Sequence, residues 1–253
     1  MTKTALITGS TSGIGRATAE RFAQAQYKLI LTGRRKDLLT ALADSLKVKY
    51  HIDVLPLCFD VRYSDAVKHN LETLPANWKT IDILVNNAGL AVGLEPIQDG
   101  VIDDWERMLD TNIKGLLYVS RVIAPLMKAQ GYGHIINIGS IAGKQVYPNG
   151  AVYCASKHAV DALSQGLRLD LLPYGIRVTQ ICPGAVETEF SIVRFKGDQQ
   201  KADTVYKGFT PLTGVDIADT IFYCANLPKH VNINDLIIMP TAQASTSVYH
   251  KEL

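Results

Sequence analysis

The stretch TALITGSTSGIG, Thr4 to Gly15, decides the fold. A short apolar and β-branched run, Thr4 to Thr8, passes into a glycine cluster, and a helical pattern begins at Ile14. Glycine lets the backbone turn sharply and come close to a pyrophosphate. The first N–H groups of the following helix, and the positive end of its dipole, face the same point. A glycine cluster alone is weak evidence; a strand before it and a helix after it give it meaning. Gly9, Ser10, Thr11, Ser12, Gly13, Ile14 and Gly15 are therefore expected to hold the phosphates of a dinucleotide.

Outward from this turn, short strand-like runs alternate with longer helical patterns. The predicted strands are Thr4 to Thr8, Lys28 to Thr32, Val54 to Phe59, Ile81 to Asn86, His134 to Ile138, Ile176 to Ile181 and Leu236 to Met239. The predicted helices are Ile14 to Gln26, Lys36 to Lys49, Ser64 to Leu74, Asp103 to Ala129, Ala151 to Leu172 and Val215 to Asn226. This alternation, with strands apolar nearly throughout, implies an α/β fold: a seven-stranded parallel sheet with helices on both faces. No Pro/Ser-rich linker, repeat or low-complexity segment divides the chain, so one domain over residues 1–253 is expected. Between Pro183 and Thr213 no strand is expected, and Gly197 and Gly208 punctuate a basic and aromatic stretch. So long a departure marks a lid or substrate loop, about residues 184–212.

Composition narrows the partners. The 253 residues carry 26 Lys+Arg against 24 Asp+Glu, with 47% hydrophobic and 20% charged residues, which excludes a disordered or fibrous chain. The formal net charge of +2 argues against a nucleic-acid binder. No apolar run reaches the roughly 18 residues of a membrane span. Cys58, Cys154, Cys182 and Cys224 show no CxxC spacing and no local His partners, so reduced thiols in a cytoplasmic protein are expected, with no metal site. The closing HKEL, His250 to Leu253, looks like an endoplasmic-reticulum retention signal. Such a signal is read only in a chain that has entered that compartment, and no leader is expected at MTKTALITGS.

The second predicted strand ends at Thr32-Gly33-Arg34-Arg35. An NAD site would place an acidic residue there for the ribose 2′-OH. Glycine takes that slot and two guanidinium forks follow, a pattern suited to a phosphate. The expected cofactor is NADP, with Arg34 as the main 2′-phosphate contact and Arg35 in support. Asp60 and Val61 close the third strand, where a carboxylate accepts from the adenine amino group. Asn86, Asn87, Ala88 and Gly89 close the fourth, at the edge of the sheet where the ligand crevice of such folds lies.

Tyr153 and Lys157 stand at i and i+4, on one helix face. A phenol of ordinary pKa near 10 is too weak a base at neutral pH. A neighbouring ammonium stabilises the phenolate and lowers that value. Ser140 ends the fifth strand and is placed to donate to a substrate oxygen. Asn112 lies mid-helix, where its side chain is expected to hold a water that replenishes the proton lost by Lys157.

Taken together, Thr8-Gly-x-x-x-Gly-Ile-Gly15, Asn86-Asn-Ala-Gly89, Asn112, Ser140 and Tyr153-x-x-x-Lys157 resemble the short-chain dehydrogenase/reductase family, in its order and spacing and over essentially the whole chain. The resemblance implies a Rossmann-type, doubly wound domain and a catalytic tetrad of Asn112, Ser140, Tyr153 and Lys157. By resemblance, Tyr153 gives and takes the proton, and Lys157 also binds the nicotinamide ribose. Pro183, Gly184, Val186 and Thr188 line the nicotinamide. The loop from Thr188 to Asp198 and the segment from Leu227 to Asn234 look like the NADP-dependent 3-hydroxy acid dehydrogenases. Those enzymes oxidise L-allo-threonine, L-serine and related 3-hydroxy acids and reduce small 3-oxo acids.

Such a substrate needs a cation for its carboxylate. Arg194, flanked by Val193 and Phe195 in the loop, is the first candidate, with Lys144 and Lys196 behind it. A role in fixing the loop or a subunit contact stays open for Arg194. Ala155, Ala159, Ala162 and Gly166 form a small-residue stripe on the Tyr153 helix. The family commonly pairs this helix across subunits, so a homotetramer is implied by resemblance; the stripe alone equally fits packing within the chain. Two other functions stay open: a 3-oxoacyl-carrier-protein or general carbonyl reductase of the same family, and a non-catalytic NADP-sensing protein.

Overall fold

Every residue of the first strand, β1 (Thr4–Ile7), is buried, as a strand between two helix layers requires. The computed structural model describes residues 2–252; Met1, and Leu253 at the end of the HKEL tetrapeptide, lie outside the described residues. The chain continues through α1 (Gly13–Gln24), β2 (Lys28–Gly33), α2 (Lys36–Tyr50), β3 (Val54–Cys58), α3 (Ser64–Glu72) and β4 (Ile83–Asn86). Then come α4 (Ile102–Leu109), α5 (Leu116–Gln130), β5 (Gly133–Ile138), α6 (Ala151–Leu171) and β6 (Ile176–Pro183). The last part holds β7 (Val186–Glu187), α7 (Phe190–Arg194), α8 (Gln199–Thr204), β8 (Leu212–Thr213), α9 (Gly214–Ala225) and β9 (Asp235–Ile238).

Seven strands form one parallel sheet in the order β3-β2-β1-β4-β5-β6-β9. The chain winds outward from β1 in both directions, with Ile7 opposite Leu31 on one side and Val85 on the other. Helices cannot fill the gap where the winding reverses, so a crevice opens at the carboxyl ends of β1 and β4. Pro56 removes a ladder donor from β3, and β3 is an edge strand, where that loss is tolerated. One core, with Phe22, Leu39, Leu46, Ile217 and Ile221, packs α1, α2 and α9 on one face of the sheet. A second, with Val67, Leu71, Val119, Ile123 and Met127, packs α3 and α5 on the other. No helix among the described residues is long and apolar enough to cross a membrane.

Two departures from the expected elements matter for the site. The single helix predicted from Asp103 to Ala129 is interrupted by a π-helical turn, Asp110–Gly115, between α4 and α5. The stretch expected to lack strands contains β7 and β8, a parallel pair with Val186 opposite Leu212 and Glu187 opposite Thr213. Pairing the two ends of the loop fixes its base, while α7 and α8 form the arch between them.

Candidate active site

A cavity of about 690 Å³ runs along the carboxyl edge of the sheet, within the size range of small-molecule and cofactor sites. One arm is lined by Gly9, Thr11, Ser12, Gly13 and Ile14, with Arg34 and Arg35 after β2 and Asp60 and Val61 after β3. Asn87, Ala88 and Gly89 after β4 form its floor. The other arm holds Ser140, Tyr153, Lys157, Pro183, Gly184, Val186, Thr188 and Arg194. The fold thus brings to one cavity residues spread over most of the chain.

Three expected residues lie behind the lining. Ser10 is fully buried and its hydroxyl donates to Ile7 O at 2.7 Å, so it stabilises the turn from inside. At Gly15 a Cβ would run into the carbonyl of Gly9 and the amide of Asn87, so this glycine is required by packing. Gly9 and Gly13 need glycine for a different reason, with φ of 67° and 51°. Asn112 is the third. Its Oδ1 accepts from Leu90 N at 2.9 Å, and its Nδ2 donates to Leu90 O at 2.9 Å and to Ser156 Oγ at 3.0 Å. The side chain expected to hold a water is instead occupied by the Leu90 backbone. It clamps the loop that follows β4 to α6, and the π turn is what aims it there.

The residues fit a phosphorylated dinucleotide. Ser12 caps α1 without a side-chain hydrogen bond, which leaves the first N–H groups of the helix for an anion. The hydroxyls of Thr32 and Thr111 are buried in the cavity wall with no partner in the protein, and such groups are costly unless something pairs with them. Thr8 Oγ1 accepts from Asn87 N at 3.0 Å and Ala88 N at 2.9 Å, tying the β1 and β4 turns together beneath.

The two arginines differ. Arg34 is exposed, with only a loose 3.7 Å approach to Asp60. Arg35 is engaged: its Nη1 pairs with Glu189 at 2.9 Å, and its Nε donates to Thr11 Oγ1 at 3.2 Å. Asp60 is held by Arg62, a residue not singled out from sequence, through its Nε at 2.9 Å, Nη2 at 2.8 Å and backbone N at 3.0 Å. Burial opposes ionisation of Asp60, but these bonds outweigh it and hold the carboxyl below its ordinary range.

At the other arm Tyr153 is 9% exposed and packs edge-on against Phe190, with ring centroids 5.7 Å apart. Burial pushes its phenol upward. Against that act the guanidinium of Arg194 and a hydrogen bond from Ser140. Ser140 lies two residues beyond β5 and caps the next turn, accepting from Ala142 N at 3.1 Å. Lys157 Nζ lies 6.0 Å from the Tyr153 ring centre and donates to Ile138 O at 2.8 Å. Burial pulls the Lys157 ammonium down to about 8. A Cβ at Gly89 would lie 3.6 Å from Lys157 Nζ and 3.3 Å from Asn112 Oδ1, so that glycine keeps the corner open.

Arg194 Nη2 donates to the Tyr147 hydroxyl at 2.9 Å, and its guanidinium lies 5.2 Å from the Tyr153 ring centre and 5.1 Å from that of Phe190. The two other candidate cations are already paired. Lys144 sits between Asp161 and Asp235, 2.7 Å from each, and Lys196 pairs with the buried Asp104 at 2.6 Å. Neither lines the cavity.

Sequence reasoning missed Tyr147, Phe190, Tyr206, Gln243, Thr246 and Tyr249, all in the cavity wall. The last three come from the C-terminal segment, which folds back on itself, with His250 N donating to Ala242 O at 2.8 Å. Gln243 fixes it: Oε1 accepts from Ala185 N at 2.8 Å, and Nε2 donates to the Tyr249 hydroxyl at 2.8 Å. No local pattern in 240–252 announces its place in the wall, because the bond that seats it there, Ala185 N to Gln243 Oε1, spans 58 residues. Among the described residues no group of His, Cys, Asp and Glu is arranged to hold a metal ion.

The sequence model of the family described as short chain dehydrogenase matches residues 3–199. Sulfoacetaldehyde reductase 2 of Chromohalobacter salexigens is 49% identical over 247 residues, 96% of each chain. The NADP-dependent 3-hydroxy acid dehydrogenase YdfG of Escherichia coli K12 is 48% identical over 240 residues, 94% of this chain and 95% of that one. The closed form of a serine dehydrogenase complexed with NADP+ superposes with a TM-score of 0.91 at 45% identity, covering 99% of this chain and 100% of that one.

Proposed function

Since the chain belongs to the short-chain dehydrogenase family, we propose that it is an NADP-dependent oxidoreductase of small 3-hydroxy acids. It reversibly oxidises the 3-hydroxyl of compounds such as L-allo-threonine, L-serine and 3-hydroxypropanoate to the 3-oxo acid. The observation that carries this reading is Arg194. Among the described residues its guanidinium has no carboxylate partner, and it hangs beside the ring of Tyr153 inside the cavity. A cation so placed holds an acid group while the neighbouring phenol works on a hydroxyl one carbon away.

Bound NADP supplies the hydride acceptor or donor. Arg34, free of a tight partner, takes the 2′-phosphate, with Arg35 bridging the turn to Glu189 behind it. The α1 N-terminus takes the pyrophosphate, Asp60 and Val61 border the adenine, and Lys157 binds the nicotinamide ribose. Pro183, Gly184, Val186 and Thr188 border the nicotinamide. Ser140 orients the substrate oxygen, and Tyr153 takes the hydroxyl proton in oxidation and returns it in reduction. Asn112 acts at one remove, by holding Leu90 and Ser156 in place. Residues 184–212 act as the substrate loop.

A second reading concerns the acid group. Sulfoacetaldehyde also carries an anion one carbon from its carbonyl, so a sulfonate analogue fits the same Arg194-to-Tyr153 spacing, and the 49% identical relative favours it. Whichever acid is the substrate, the proposal includes a homotetramer, supported by Ala155 and Ala162 of the small-residue stripe, which are exposed rather than packed on the sheet. Four free cysteines suit a cytoplasmic location.

The test follows reduced-nicotinamide absorbance with L-allo-threonine, L-serine, 3-hydroxypropanoate and 2-hydroxyethanesulfonate, each with NADP+ and NAD+. Turnover of the carboxylates with NADP+ is expected. Turnover of the sulfonate alone moves the substrate to the second reading, and turnover of neither overturns both.

A further inference from the structure

The base and the anion-binding cation of this site are not independent. Arg194 lies 5.2 Å from the Tyr153 ring centre, and the ammonium of Lys157 lies 6.0 Å from it while donating to Ile138 O at 2.8 Å. The Tyr147 hydroxyl, accepting at 2.9 Å, fixes the guanidinium in this position.

We propose that Arg194 serves two anions in turn: it supports the Tyr153 phenolate, and an acidic substrate that engages it withdraws that support and returns Tyr153 to the phenol. The proposal rests on the substrate reading given above. It makes the acid group of the substrate a switch on the base, beyond a handle for binding.

The groups that face Tyr153 leave few competitors. From its own helix come Lys157 and the Cys154 thiol, from the turn after β5 Ser140, from β6 the Cys182 thiol, and from α7 Arg194 and Phe190. Burial raises both thiols, Cys182 to about 12, so both are neutral at physiological pH. Arg194 also faces the phenols of Tyr147, Tyr206 and Tyr249, each raised chiefly by burial. Tyr153 is therefore the phenol whose ionisation the chemistry uses, and no carboxylate stands between it and the guanidinium among the described residues. An opposite charge within about 4–6 Å displaces a pKa by roughly 1–3.

The direction follows. Oxidation needs the phenolate, and reduction needs the phenol as donor. With Arg194 engaged by a substrate carboxylate, the phenol form is favoured, so reduction of an anionic 3-oxo acid is served at neutral pH. In that reduction hydride adds to the carbonyl carbon and the Tyr153 proton to its oxygen. The phenolate left behind regains the guanidinium when the acid group departs.

The experiment compares oxidation of 3-hydroxypropanoate with that of its uncharged methyl ester across pH, in the wild type and in Arg194→Met and Arg194→Lys. For wild-type protein with the acid, the pKa seen in single-turnover rates at saturation is expected about one or more above that in kcat/KM. The former reports the substrate complex and the latter the complex without substrate. With the ester the two coincide. Arg194→Met is expected to move the ester profile to higher pH by about one, a roughly tenfold loss below the pKa, and to abolish the gap for the acid. Arg194→Lys keeps the ester profile near that of the wild type.

A readout without turnover is the tyrosinate absorbance of the NADP+ complex, taken as wild type minus Tyr153→Phe. Its midpoint is expected to rise in Arg194→Met and on adding malonate to the wild type. An unmoved ester profile and an unmoved tyrosinate midpoint in Arg194→Met overturn the proposal and leave Arg194 as a clamp only. Failure to oxidise the acid at all overturns the substrate reading, while the Arg194→Met midpoint still decides this inference.

Discussion

Arg34 and Arg35 are neighbours in sequence and opposites in situation. Arg34 is exposed and loosely placed, whereas Arg35 is fastened to Glu189 and Thr11 across the mouth of the cofactor arm. Charge-assisted hydrogen bonds to a phosphate are worth about 1.5–3 kcal/mol. Arg34→Ala is therefore expected to weaken NADPH binding by roughly ten- to a hundredfold while leaving NADH binding nearly unchanged, as read by fluorescence titration. Arg35→Ala should cost less in the NADPH titration, because much of its guanidinium is already engaged by protein. Equal losses for both coenzymes in Arg34→Ala would remove its assignment to the 2′-phosphate. At the same scale Lys144 and Lys196 show how a basic residue near a site in sequence is absorbed by acidic partners that only the fold supplies.

At the scale of elements, the π turn at Asp110–Gly115 shifts the helix register so that Asn112 faces Leu90 and Ser156. A regular helix from Asp103 to Ala129 has the same apolar pattern, so the extra residue in the turn left no sequence signal. Strand β5 carries a second feature. His134 is buried at its start, with Nε2 2.8 Å from Thr179 Oγ1 and Nδ1 without a partner in the protein. Burial, and then the nearby Arg177, lower its pKa from the ordinary 6.5 to about 3. Between those values the unfolded chain binds a proton that the folded one refuses, so stability falls as pH drops from about 6.5 toward 3. The displacement corresponds to roughly 4–5 kcal/mol. Thermal melting is expected to show this decline between pH 6.5 and 4, and His134→Gln to flatten it. An unchanged slope in that variant would assign the acid lability to other groups.

For the whole molecule, the exposed face of α6 and the α4–α5 side offer a surface that no other described residues cover. Ala155 and Ala162 are exposed there, as are Leu109 and Leu117. The proposed tetramer covers this face, since small residues let helices approach closely. Light scattering of the intact protein should give the mass of four copies. Ala155→Arg with Ala162→Arg should reduce that mass with little loss of melting temperature in the dissociated form, because neither side chain packs in the single chain. An unreduced mass would assign assembly to another surface.

Much of this was legible in the sequence. Strand and helix order, the glycine turn and the basic pair after β2 depend on contacts among near neighbours, and near neighbours write periodicity and turn chemistry into the chain. Tyr153 and Lys157 share a helix face for the same reason, and the parallel sheet follows from the alternation itself. What only the tertiary structure decided was which charges remain free and which side chains meet across the cavity. Among the described residues Arg194 has no carboxylate partner while Lys144 and Lys196 do, Asn112 is bound to Leu90, and the segment after β9 supplies Gln243, Thr246 and Tyr249 to the wall. Each of these depends on partners 17 to 101 residues apart, and pairing at such distance is set by how whole elements pack, which no local window of sequence contains.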